Sequence, residues 1–233
     1  ALLYMKCYYS LLLLFIVQKL THSKHYDILC VGDSITHGRF SSDFTKTSYP
    51  ARLHQILQSM STNDTFTVFN AGLGGATALE NIPNSYRNSD YHKYTLSVAN
   101  TFSILIIQFG TNDAARNRMA DESFFINDYE NLIQSYRDVH PNLIIFLSIP
   151  PPVYLGPQPI NKIYSIAVNE RLPNIIKSIS VETNCRLIDV FNALGGKKLT
   201  KRESFIEDGV HPNDVGYNLI AETVAARLHP FLI

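Results

Sequence analysis

Five short apolar runs, separated mostly by longer amphipathic stretches, constrain this chain most. The runs are Tyr26–Val31, Phe66–Phe69, Ile104–Phe109, Leu143–Ile149 and Arg186–Val190. They are continuous rather than alternating, the pattern of strands covered on both faces. Helical patterns cover Pro50–Met60, Ser123–Val139, Ile163–Ser180 and Asn213–Leu228. Pro50 suits a first helical turn. Val215, Leu219, Ile220, Val224 and Leu228 form the apolar stripe of the last helix, and Pro230 is expected to stop it. This alternation predicts an α/β fold with a parallel sheet and helices on both faces. No internal repeat or low-complexity linker interrupts it, and 233 residues suit one domain rather than two. The segment from Pro150-Pro151-Pro152 to Pro159 is expected to be a rigid surface loop.

With 45% hydrophobic and 17% charged residues, the chain is globular rather than disordered. Its formal net charge is zero, so a nucleic-acid partner is not expected. Lys197-Lys198 and Lys201-Arg202 make a short cluster that reads as a solvated loop. Cys7 lies near the start, Cys30 within an apolar run and Cys185 at the start of another. The last two read as buried small apolar groups rather than as a bridge or a nucleophile. There is no CxxC and no HExxH, so no metal and no cofactor is expected.

Residues 1–23 read as a secretory leader. Met5-Lys6 gives a basic start, Leu11–Val17 an apolar run, and Thr21 and Ser23 small residues for cleavage after Ser23. The run is shorter than the roughly 18–20 apolar residues of a membrane span. An uncleaved anchor and a buried N-terminal element are the alternatives. Residues 24–233 then form a single domain, secreted, with no stable membrane insertion once the leader is gone. Asn63-Asp64-Thr65 is an N-glycosylation acceptor in a polar stretch, as suits a secreted surface loop.

Ligands of an open parallel sheet bind at the carboxyl ends of its strands. Three strings lie there or in a neighbouring loop: Gly32-Asp33-Ser34 after the first run, Gly110-Thr111-Asn112-Asp113 after the third, and Asp208-Gly209-Val210-His211 before the last helix. Together they supply what acyl transfer needs: a hydroxyl, a base, a carboxylate to orient it, and donors for an oxyanion. Ser34 reads either as a helix N-cap or as the nucleophile at a helix start. His211 is set apart from the other seven histidines by Asp208, three residues before it, whose carboxylate would fix the imidazole tautomer. Asn112 offers a side-chain amide to the carbonyl oxygen. Gly75 offers a backbone N–H, with Gly72 and Gly74 serving the turn in Asn70-Ala71-Gly72-Leu73-Gly74-Gly75-Ala76-Thr77. The dinucleotide pattern G-x-G-x-x-[G/A] fails at Thr77.

These strings resemble the SGNH hydrolase superfamily, the GDSL esterases and lipases. Ser34, Gly75, Asn112 and His211 fall on its four eponymous positions and Asp208 on its triad acid, over about residues 26–228. Where the second block commonly carries Ser, this chain has Gly74. The resemblance implies a flavodoxin-like three-layer α/β/α sandwich with a five-stranded parallel sheet. It also implies a catalytic set of Ser34, Asp208 and His211, an oxyanion hole of Ser34, Gly75 and Asn112, and supporting roles for Asp33 and Asp113. No G-x-S-x-G occurs, which excludes the α/β-hydrolase elbow. Ser48-Tyr49-Pro50-Ala51-Arg52-Leu53, Gly75-Ala76-Thr77-Ala78-Leu79 and Pro150-Pro151-Pro152 are similar to sialate O-acetylesterase-like and acetylxylan-esterase-like members. The expected reaction is hydrolysis of short-chain esters, O-acetyl groups on carbohydrates foremost, through an acyl-enzyme. The expected partner is a small-molecule or glycan ester. The alternatives are a lysophospholipase or lipid acetylhydrolase, and an inactive carbohydrate-binding domain.

Overall fold

Strand β1, His25–Gly32, is an interior strand of the sheet. Its side chains alternate between two cores: Leu29 and Val31 enter one, Ile28 and Cys30 the other. A continuous apolar run is required because both faces are covered. The computed structural model describes residues 23–115, 118–154 and 162–232. The expected leader and Cys7 therefore lie outside the described residues, except for Ser23, as do Pro157 and Pro159. Among the described residues no helix is long and apolar enough to cross a membrane.

Strands β2 (Thr65–Gly72), β3 (Ile104–Gln108), β4 (Ile144–Ser148) and β5 (Arg186–Ile188) complete a parallel sheet of order β2-β1-β3-β4-β5. This is the flavodoxin-like order, and it puts the strands' carboxyl ends on one rim.

Helix α1 is a single turn, Ser34–His37. Helix α2, Tyr49–Met60, carries proline in its first turn and buries Leu53 and Leu57. Helix α3 is Asp90–Ser97, helix α4 Glu122–Val139, helix α5 Leu172–Glu182 and helix α6 Asp214–Leu232. Helices α2 and α6 pack on one sheet face, α4 and α5 on the other. In α4 the buried Phe125, Tyr129, Leu132, Ile133 and Tyr136 recur at helical spacing behind an Asp121 cap.

Two expectations fail, one gains a detail, and one helix was not expected. The helix expected over 163–180 forms, with one π-helical turn inside it: the α-helical Lys162–Ile166 passes through Ala167–Arg171 into α5. Pro173 has no N–H for the preceding turn, and the widened turn places Asn169 against Val153. Pro230 does not stop α6, which continues to Leu232. The missing N–H costs one bond in a last turn held by Leu228 and Leu232 in the core and by Arg186 and Arg227 over the Phe231 ring. Helix α3 carried no apolar period because its buried face is His92 and Thr95. Finally, Pro150–Tyr154 is not at the surface. These residues are buried, clamped by the Asn169 side chain on both sides of Val153.

Candidate active site

Ser34 sits one residue beyond the Asp33 that follows β1, as the first residue of α1. The N-cap is Asp33 rather than Ser34. Its carboxylate accepts the Ile35 N–H at 2.8 Å, which leaves the serine hydroxyl uncommitted to capping. Ser34 Oγ lies 2.9 Å from His211 Nε2, and His211 Nδ1 lies 2.6 Å from Asp208 Oδ2. An ionised carboxylate only accepts, so Nδ1 carries the proton and Nε2 accepts from the serine. The other Asp208 oxygen accepts the N–H groups of Val210 and His211 at 2.8 and 2.9 Å. Partial burial pushes the Asp208 carboxyl up, but these hydrogen bonds outweigh it and hold the group below the usual carboxylate range.

The loop carrying this pair has no regular structure of its own. It is closed by Ile206 N–H on His211 O and Gly209 N–H on Ile206 O. Arg202 donates to the carbonyls of Phe205, Ile206 and Glu207. Arg202 therefore departs from the solvated-loop reading of its cluster. Tyr154 donates its N–H to Gly209 O at 2.7 Å, so the proline-rich segment is a strut under the loop. Gly209 has a φ of +69°, and a Cβ there would meet Tyr154 O at 2.0 Å, so only glycine fits.

Asn112 follows β3 and donates its side-chain amide to Ala76 O at 3.0 Å, which brings it against the Gly75 segment and leaves its second amide hydrogen available. Gly75 has a φ of +78°. Among the described residues neither the Ser34 nor the Gly75 backbone N–H has an acceptor. Gly74 lines the cavity that contains Ser34, and a Cβ there would meet nothing within 4 Å. Nothing in the turn requires glycine at position 74, contrary to the turn role expected for it.

Asp113 is buried and accepts the Leu79 N–H at 2.9 Å, joining the loop after β3 to the stretch after Gly75. Its other oxygen is buried and has no hydrogen-bond partner among the described residues. Burial pushes both Asp33 and Asp113 up to about 7, and the charge of Asp113 adds to the shift at Asp33. Cys30 is a free thiol, buried as expected, whereas the free thiol of Cys185 is only half-buried. Among the described residues no group of three His, Cys, Asp or Glu side chains is placed to hold a metal ion.

The pattern of the GDSL-like lipase/acylhydrolase family matches residues 30–219, a span that includes every residue named above for the site. The chain belongs to this family. The family is described as one of lipases and acylhydrolases. An acetylxylan esterase from Xylanibacter ruminicola is 27% identical over 222 residues, covering 86% of this chain and 42% of that protein. The chain thus spans about two-fifths of that relative's length. Solved structures share the fold. A carbohydrate acetylesterase from Sinorhizobium meliloti has a TM-score of 0.67 at 16% identity, covering 88% of this chain and 99% of that one. A two-domain esterase active on acetylated mannans has a TM-score of 0.64 at 18% identity, covering 94% and 53%.

For a GDSL-family chain, the motifs name the candidate site residues but not what holds them. Arg202 and Tyr154 carried no sequence signal, because each acts on backbone that is distant or irregular. Phe40 was missed too. Its ring stands edge-on to the His211 ring, 5.2 Å between centroids.

Proposed function

We propose that this chain is a serine esterase that removes short acyl groups, acetyl foremost, from carbohydrate esters. The observation that carries the reading is the unbroken hydrogen-bond line from Ser34 through His211 to Asp208. Ser34 Oγ attacks the ester carbonyl while His211 Nε2 takes its proton, and Asp208 stabilises the imidazolium. The negative oxygen of the tetrahedral adduct is held by the Ser34 and Gly75 N–H groups and the Asn112 amide. Collapse of the adduct breaks the bond to the alcohol, which leaves with the proton from His211. Water, deprotonated by the same imidazole, then attacks the acyl-serine and releases the acid. Asp33 and Asp113 keep the strand-end loops in place.

The similarity to an acetylxylan esterase supports a sugar ester as substrate. The expected leader and the exposed Asn63, in the turn between α2 and β2, support a secreted protein. The test is kcat/KM on p-nitrophenyl acetate, butyrate, octanoate and palmitate, with acetate release measured from acetylated xylan and acetylated sialic acid. Preference for acetate, with release from at least one glycan, is expected. Preference for octanoate or longer, with no release from any sugar, would move the chain to the lipid-directed alternative.

A further inference from the structure

The loop from Gly38 to Phe44 has features that ester hydrolysis alone does not require. Phe40 has a φ of +64°, a left-handed conformation that a bulky side chain rarely adopts, yet its side chain is 52% exposed. The conformation is held from several sides. Tyr217 donates to Arg39 O at 2.7 Å, and the backbone and hydroxyl of Ser42 donate to Asp214 at 2.9 and 2.5 Å. The Arg39 guanidinium lies 4.8 Å over the Phe40 ring. Phe44, 53% exposed, stacks on His37 with 5.4 Å between centroids and 17° between planes. Two exposed rings are thus fixed on the rim of the cavity of about 610 Å³ that contains Ser34.

A second cavity adjoins it. His37 and Phe44 line both, and the second, about 530 Å³, runs between α2 and β2 with His54, Asn70 and Tyr91 among its walls. β2 is the edge of the sheet, so the strand's outward backbone groups have no partner strand. Phenyl rings, imidazoles, an amide and a phenol line this path, together with the apolar Pro50, Ala51 and Val68. A fatty acyl chain needs a continuous apolar wall. A sugar chain instead presents apolar C–H faces to aromatic rings and hydroxyl edges to polar side chains, and both kinds of partner line this path.

We propose that the Gly38–Phe44 loop and the adjoining groove form an extended glycan-binding subsite, so that the enzyme deacylates polymeric rather than single sugars. The acylated sugar stacks against Phe40 and Phe44 beside Ser34, and its chain neighbours lie along the groove over His54, Asn70 and Tyr91. The inference rests on the carbohydrate-ester reading above.

The experiment measures kcat/KM for acetate release from acetylated xylo- and manno-oligosaccharides of one to five units, with p-nitrophenyl acetate as the reference ester. The value for the native enzyme should rise about tenfold with chain length, the order of one added stacking contact. Phe44→Ala and Tyr91→Ala should each lower the ratio of oligosaccharide to p-nitrophenyl acetate kcat/KM by about the same factor, mainly through KM, and Phe44→Tyr should restore it. Melting temperature identifies variants that fail to fold, and the chain-length series needs no variant. Deacetylation that is independent of chain length overturns the inference and leaves the carbohydrate reading standing. So does a Phe44→Ala variant that loses p-nitrophenyl octanoate activity more than oligosaccharide activity, which would make the groove an acyl site. Cleavage of p-nitrophenyl acetate without acetate from any sugar removes both.

Discussion

Ser34 stands at the end of a strand buried on both faces, whereas Asp208 and His211 stand in a loop with no strand or helix of its own. The serine's place follows from the register of β1 with β2 and β3, closed by one Asp33 cap. The place of the imidazole is assembled from remote parts: the Arg202 guanidinium, the Tyr154 backbone and the bare Cα of Gly209. Sheet geometry protects the first half against most local changes. The second half depends on a few cross-braces, each of which is a separate point of failure.

The largest effect is expected on the braced side. Asp208→Asn keeps an oxygen for the Val210 and His211 N–H groups, so the loop keeps its shape. Its amide, however, favours the wrong imidazole tautomer. A kcat loss of roughly 10⁴ is expected with little change in melting temperature. A loss below tenfold would mean that the loop backbone alone orients the imidazole.

Asn112→Ala tests the strand-end side. Steady-state kinetics should show kcat down roughly 10²–10³ with KM nearly unchanged, the usual cost of one oxyanion donor. A change confined to KM would instead put Asn112 in ground-state binding.

Gly209→Ala attacks a brace without touching a reacting group. The added Cβ collides with the Tyr154 carbonyl, in a backbone conformation that alanine resists. Displacing His211 by even a fraction of its hydrogen-bond length should cost about 10² in kcat/KM. Thermal unfolding should shift by only roughly 5 °C, because the sheet core is untouched. Equal sensitivity of activity and stability would erase the contrast between the two halves.

The smallest effect concerns stability alone. Asp33 and Asp113 are held near 7, above the 3.8 of a free carboxyl. Between these values the folded chain holds protons that the unfolded chain has released, so the pair makes stability fall as pH rises from about 4 to about 7. Asp208, shifted downward, acts oppositely. Its contribution is present above 3.8 and is lost as pH falls through its lowered value. Asp33→Asn retains the cap on Ile35 and removes one of the two buried acids. Its melting temperature should therefore decline less than the native one between pH 5 and pH 8. Parallel profiles would show that Asp33 does not titrate in this range.

The same contrast explains what could be read in advance. The five strands and their strand-end motifs were legible because a run such as Ile104–Gln108 is apolar for a reason independent of the rest of the chain. That Ser34, Asp208 and His211 meet, and that Asn112 meets the Gly75 segment, was legible because their residue types and order match one catalytic pattern. The strut at Pro150–Tyr154 was read as surface because a proline run has no periodicity to report burial. Arg202 was read as a solvated charge because its carbonyl partners come from an irregular turn. Helix α3 was invisible because it buries an imidazole and a hydroxyl, held by Ser135 and Tyr136 of α4. Long-range polar contacts of this kind leave no local signature.

The central claim is that Ser34 becomes acylated with His211 as its base. Acid quench during turnover of p-nitrophenyl acetate, followed by intact-mass measurement and peptide mapping, tests it most directly. One acetyl group per chain is predicted, on the peptide containing Ser34, absent in Ser34→Ala and formed far more slowly in His211→Ala. A full acetyl adduct on another residue, or undiminished turnover by folded Ser34→Ala, would contradict it.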